Sequence, residues 1–151
     1  MKFIAHRGNT VGPQPSFENK IHYIQEARDQ GYQVEIDLQL VSGVLYLGHD
    51  DPQERFPLAW AESDDFFCHA KTPEAFGALL KLGANTFYHE NDPVTLTSRQ
   101  LIWCFPGVHP VDPHAIWLSL QDIPVPNTAL MSNIYGICGD YASVVDQARD
   151  E

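Results

Sequence analysis

One stretch, Val34 to Asp50, limits this chain more than any other. Val34, Ile36, Leu38 and Leu40 alternate with Glu35, Asp37 and Gln39, a period of two that predicts a strand with one apolar face. The opposite face carries two carboxylates, only two positions apart. Like charges held that close repel, so an ordered pair calls for a cation. Mg²⁺ or Ca²⁺, hard ions that take oxygen ligands, suit such a pair. Ser42-Gly43 then predicts a turn and Val44 to Leu47 a second short strand, which returns His49 and Asp50 to the neighbourhood of the acids. A half-exposed hairpin with a solvated acidic face would show the same pattern. The rest of the chain has to decide.

With 151 residues, the length fits one domain over 1–151 with a core of its own. A hydrophobic fraction of 44% argues for a folded protein. The net charge of −11 and the lack of any basic run oppose binding to nucleic acid or to anionic lipid. A small anionic ligand would have to meet local cations such as Arg7, Lys71 or a metal. Cys68, Cys104 and Cys138 are odd in number, lie in apolar stretches and lack CxxC spacing, so buried free thiols in a reducing compartment are expected. Met1-Lys2 leads straight into an apolar strand, and no apolar run approaches the roughly 20 residues of a membrane span. The expectation is a cytoplasmic protein with no stable membrane association.

Phe3-Ile4-Ala5 predicts a buried strand that ends at His6-Arg7-Gly8, a corner suited to an anion. Ser16 is placed to cap a helix striped by Phe17, Ile21, Ile24 and Ala27 and stopped at Gly31. Together with Val34–Leu40 this is a β-α-β unit, and its two strands should be parallel neighbours. Further strands are expected at 66–71, with Phe67, His69 and Lys71 on one face, and at 86–90, 101–105, 115–120 and 134–138. Helices are expected from Pro73 to about Leu82, capped by Thr72, and from Ala142 to Arg149. Asp51 to Asp65 reads as a loop over the site or a side excursion. The later strands lack full helices between them. The best fit is a shortened or distorted TIM (β/α) barrel with several helices missing, since the full fold typically takes about 250 residues. A doubly wound open sheet is the alternative, without any glycine-rich nucleotide loop to support it.

Four elements, Ile4-Ala5-His6-Arg7-Gly8, Pro15-Ser16-Phe17-Glu18-Asn19, Val34-Glu35-Ile36-Asp37 and Leu47-Gly48-His49-Asp50, resemble in order and spacing those of the glycerophosphodiester phosphodiesterase family. The likeness covers the first third of the chain. Beyond it, Cys68-His69-Ala70-Lys71 resembles the family's third-strand E-x-K element, with His69 where a metal-binding Glu usually stands. Ile137 to Tyr141 resembles its closing strand. The resemblance implies a barrel of the PLC-like phosphodiesterase type that hydrolyses a small phosphodiester with a divalent metal. It would make His6 and His49 the general acid/base pair, Glu35, Asp37 and His69 metal ligands, and Arg7 a phosphate clamp. An adjacent substrate hydroxyl is thought to attack in this family.

Imidazoles titrate near neutrality, so two of them can exchange donor and acceptor roles across one phosphorus. Lys71 could offset substrate charge. His69 adds no negative charge, which favours Mn²⁺ over Mg²⁺ or leaves the third ligand to Glu90 or water. Glu18 is explained equally by a first helical turn. His89, Glu90 and Asp92 cluster at a strand end, with no indication of which points inward, and Asp140 is equally a turn residue or a contact. His22, His109 and His114 read as structural or solvated. Two rivals stay open. One is a degenerate barrel that binds a phosphorylated ligand without turnover, disfavoured by the retention of both His6 and His49. The other is a sphingomyelinase D-like phospholipase, which would need an apolar rim from Phe56, Trp60, Trp103 and Trp117. A barrel short of helices leaves strand faces uncovered, which makes a homodimer the working hypothesis.

Overall fold

The computed structural model describes residues 1–120 and 128–149. The strands are β1 (Lys2–His6), β2 (Gln33–Val41), β3 (Val44–Leu47), β4 (Phe66–Ala70), β5 (Thr86–Phe87), β6 (Val94–Leu96), β7 (Ile102–Cys104), β8 (Ala115–Ser119) and β9 (Gly136–Gly139). Helices α1 (Ile21–Asp29), α2 (Pro73–Lys81) and α4 (Ala142–Arg149) are joined by a single helical turn, α3 (Thr128–Met131). Eight strands run in the order β5-β4-β2-β1-β9-β8-β7-β6, and β3 folds back on β2 as a hairpin. All neighbours along that path are parallel except the antiparallel pair β6–β7.

The two ends of the sheet nearly meet. Ser98 N donates to Thr86 O at 2.8 Å, Thr86 N donates to Ser98 Oγ at 2.9 Å, and Thr95 Oγ1 donates to Tyr88 O at 3.1 Å. The result is a distorted, nearly closed barrel rather than an open doubly wound sheet. Glycines let β9 lie tightly between β1 and β8, because a Cβ at Gly136 or Gly139 would run into the carbonyls of Lys2 and Ser119.

Alternation along each strand separates two cores. Val34, Ile36 and Leu38 of β2, Cys68 and Ala70 of β4, and Ile24, Ala27, Ala75 and Leu79 of the helices fill the layer outside the barrel. Ile4, Phe67, Phe87, Trp103, Ile116 and Cys138 fill its interior, as the layered side chains of a β/α barrel do. Phe87 stacks on Trp103 with centroids 4.4 Å apart.

The hairpin, the Thr72 cap (Thr72 Oγ1 accepts from Ala75 N at 3.1 Å) and the terminal helix follow the sequence reading. Ser42 and Gly43 both take positive φ, the twist a two-residue hairpin demands. The first helix departs from the reading. It begins at Ile21, not Ser16, because Asn19 turns left-handed at φ 62° and commits its amide to Asp37. Residues 86–90 keep only two in strand geometry, and the last strand is shifted toward Gly139. The edge strand β6 was hidden in a polar, Pro-preceded run. Residues 51–65 are a side excursion along β3: Phe56 N donates to Leu45 O and Trp60 stacks on Phe66. Trp103, Trp117 and Phe56 are all buried, so none of the three forms an exposed apolar rim. The three cysteines are buried and unbridged. Among the described residues no helix is long and apolar enough to cross a membrane.

Candidate metal centre

Two residues above the apolar interior layer, the same strands turn polar. His6 follows Ile4 on β1, His69 follows Phe67 on β4, His89 follows Phe87 beyond β5, and Asp140 follows Cys138 at the end of β9. Glu35 and Asp37 join them from β2. The four residues from β1, β4, β5 and β9 lie at or near the C-terminal ends of parallel strands, the edge where β/α folds collect functional groups, and the stagger of β2 brings Glu35 level with His6 and Asp37 level with His69.

Glu35 and Asp37 are 2% and 0% exposed. One donor atom each from Glu35, Asp37 and His69 lies within 4.8 Å of the others, a spacing that fits a shared metal ion. His69 Nδ1 stands 3.6 Å from Glu35 Oε1 and 3.4 Å from Asp37 Oδ1. Lys71 Nζ is 3.6 Å from Asp37 Oδ1. None of these approaches satisfies the acids fully: Glu35 Oε2 and Asp37 Oδ1 are buried without a hydrogen-bond partner. A buried carboxylate oxygen left so is costly, and a cation would relieve both. The third donor is His69. Glu90, the other sequence option, is exposed and accepts from Tyr88 Oη at 2.7 Å instead.

Asp37 is held from its far side. Asn19 Nδ2 donates to Asp37 Oδ2 at 2.9 Å, and Asn19 Oδ1 accepts from Asp37 N at 2.9 Å. Arg7 Nε also comes within 2.9 Å of Asp37 Oδ2, but its N–H is off the line of the oxygen and makes an ion pair only. Burial alone would raise the Asp37 pKa. Its contacts with His69, Arg7 and Lys71 overcome burial and hold the carboxyl well below the usual range. Arg7 sits at φ 55°, a strained backbone fixed by Arg7 N donating to Glu35 O (2.9 Å) and Asn19 N donating to Arg7 O (3.1 Å). Its Nη1 reaches Glu18 Oε1 at 3.4 Å, which gives Glu18 a steadying role on the guanidinium.

His6 pairs through Nδ1 with Asp140 Oδ1 at 2.7 Å, while Nε2 faces Glu35 Oε2 at 3.7 Å. Asp140 also accepts from Asn9 Nδ2 at 2.8 Å, and Asn9 Oδ1 from Tyr23 Oη at 2.9 Å. Burial works against the His6 imidazolium, yet the bond to Asp140 and the charge of Glu35 raise its pKa above the ordinary value. Asp140 is lowered by His6 and Asn9 against its own burial. His49 lies at the same mouth: Gln39 Nε2 donates to the carbonyls of Gly48 and His49 at 3.0 and 3.1 Å. Its Nδ1 pairs with Asp50 Oδ1 at 2.8 Å. The His6 imidazole is thus held through Nδ1 by a buried Asp with Nε2 toward Glu35, whereas the His49–Asp50 pair is solvent-exposed.

Of the seven residues singled out from sequence, the structure joins His6, Arg7, Glu35, Asp37, His69 and Lys71 by direct side-chain approaches. His49 stands at the rim, tied by its backbone. Asn19 lay in the Pro15–Asn19 element of the resemblance but was given no role, and Asn9 and Tyr23 were not singled out; their only signal was position near the His-Arg corner. A cavity of about 500 Å³ adjoins the centre, lined by His6, Arg7, Pro13, Pro15, Glu18, Leu120 and Asp140. Another of about 490 Å³ opens at the opposite end of the strands, but its Arg28 and Asp65 satisfy each other at 2.8 Å. Chemistry rather than size marks the site. No family model, curated protein or solved structure matches this chain.

Proposed function

We propose that the protein is a metal-dependent phosphodiester hydrolase on a shortened TIM barrel of the PLC-like phosphodiesterase type. One observation carries the reading. A buried acid pair with two unpartnered carboxylate oxygens, ringed by His69, Arg7 and Lys71, faces an imidazole oriented by its own Asp. Glu35, Asp37 and His69 would hold a divalent ion, which when bound would neutralise non-bridging phosphoryl oxygens. Arg7, locked on Asp37 and Glu18, would fix the same oxygens, and Lys71 would add a mobile charge.

The His6 Nε2 face, directed by the Nδ1–Asp140 bond, accepts or returns a proton at the reacting oxygen. His49, paired with Asp50 at the surface, would serve the opposite side of the phosphorus from the rim. The 500 Å³ cavity beside His6 has room for one ester arm of a small diester. With His69 in place of a third carboxylate, the ligand set also permits a reading in which a phosphorylated ligand is bound and not cleaved. The buried His6–Asp140 pair favours turnover, since binding alone would need the arginine but not an oriented acid/base.

Hydrolysis of bis(p-nitrophenyl) phosphate and glycerophosphocholine with Mg²⁺, Mn²⁺, Ca²⁺ or EDTA tests this. Metal-dependent turnover that falls about 10²–10⁴-fold in His6→Ala is expected. Metal binding by wild type with no turnover of either diester, under any ion, would transfer support to the binding reading.

A further inference from the structure

One cavity differs from its neighbours in charge. The spaces around Arg28, His6 and Phe17 each hold at least one carboxylate, from Asp64, Asp65 and Asp146, from Glu18 and Asp140, or from Glu26. The cavity between the β2–β3 hairpin, the 51–65 excursion and α2 holds none, in a chain of net charge −11. Its charged residues, Arg55 and Lys81, are both cations. Arg7, Arg28, Lys71 and Arg99 are ion-paired, whereas among the described residues no carboxylate pairs with Arg55 or Lys81. Lys81 lies in the last turn of α2, where a cation also suits the helix dipole. Arg55 has no helix end to serve.

The rest of the lining is apolar. Leu45 and Phe56 are buried and make the floor, while Leu58 stands at the rim, 66% exposed. Small residues leave the room: a Cβ at Gly43 would meet nothing within 4 Å, and Ala78 offers α2 only a methyl there. About 360 Å³ stays open. Basic stems laid over the floor merely to shield it would close that space. An apolar hollow of this size with a few convergent polar groups has the form of a small-molecule site. We propose that it binds a single-chain aliphatic carboxylate, with the chain against Leu45 and Phe56 and the head on Arg55 and Lys81. A bilayer would have to meet the acidic remainder of the surface, with no basic run to offset it. A second copy would bring another net charge of −11 toward the first. A free monoanion brings a single charge.

No residue of the metal centre lines this hollow, so the inference stands apart from the hydrolase reading and its test uses no turnover. The full chain in EDTA is titrated calorimetrically with hexanoate, octanoate and decanoate below their micelle concentrations, and with octanol. Affinity should rise about fourfold per added methylene while the hollow fills. Octanoate should bind about tenfold tighter than octanol. The double variant Arg55→Gln, Lys81→Gln should lose that preference and keep the affinity for octanol. Ala78→Phe should block both ligands. If it melts early, Leu58→Asp, at an exposed position, replaces it and should weaken octanoate more than octanol. Equal binding of octanoate and octanol by wild type, octanoate binding unchanged in the double variant, or no saturable heat up to millimolar octanoate would overturn the proposal. So would binding to phosphatidylglycerol vesicles alone, or a dimer that Leu58→Asp dissolves.

Discussion

Inside the barrel, two layers of side chains come from the same strands and differ by a step of two residues. The lower holds Ile4, Phe67, Phe87 and Cys138, the upper His6, His69, His89 and Asp140, with Glu35 and Asp37 between them on β2. Both layers are largely shielded from water. In the lower one, burial and aromatic stacking act together, and every contact favours the fold. In the upper one, burial opposes the charges, an arginine sits at strained φ, and carboxylate oxygens lack partners. The difference teaches that one sheet can separate stability from chemistry by register alone. A side chain's layer, more than its burial, should decide what its removal does.

The sharpest break of that comparison is in the lower layer. Phe67 is wholly buried and packs 5.5 Å from Trp103, so Phe67→Ala should lower the denaturant-derived unfolding free energy by about 3–5 kcal/mol. Next comes Asn19→Ala. It leaves the amide and one carboxylate oxygen of Asp37 without their partner and should cost about 1–3 kcal/mol in the same measurement. The upper layer should then reverse sign. Glu35→Gln removes one of two buried like charges, and in EDTA it should raise stability by about 0.5–2 kcal/mol while ending metal binding. A loss of stability in EDTA would make the acids part of the scaffold.

The smallest effect is the pH dependence of the His6–Asp140 pair. His6 is raised from 6.5, so its contribution is complete below that value and is lost as pH climbs through the higher folded-state pKa. Asp140 is lowered from 3.8, so its contribution is present above that value and is lost as pH falls through the depressed one. The pair therefore stabilises most between pH 3.8 and 6.5. Thermal melts in EDTA should show that shoulder in wild type and a flatter profile in Asp140→Asn.

Much of this was legible in the chain. The alternation around Glu35 and Asp37, the Ser42-Gly43 turn and the Thr72-Pro73 helix start are local signals, and the protein folds as they direct. What the sequence concealed depended on distant partners. Asn19 looked like part of a helix because its bonds to Asp37 span 18 positions. Asp140 read equally as a turn residue or a contact, and only the pairing of β9 with β1 sets it against His6, 134 positions away. Strand β6 has no apolar alternation to announce it, since it is an edge of only three residues. His89 was visible as a polar residue near a strand end, but its inward direction follows only from its stack on His69.

The central claim is that the upper layer is a metal centre, and the most direct test is a thermal melt of EDTA-stripped protein during titration with Mn²⁺. At about 100 times its dissociation constant, a bound ion adds about 2.7 kcal/mol, which raises the melting temperature of a chain this size by about 5–10 °C. Wild type should show that rise, and Glu35→Gln should not. A melting temperature unmoved by Mn²⁺, Zn²⁺ and Mg²⁺, or an equal rise in the variant, would contradict the account.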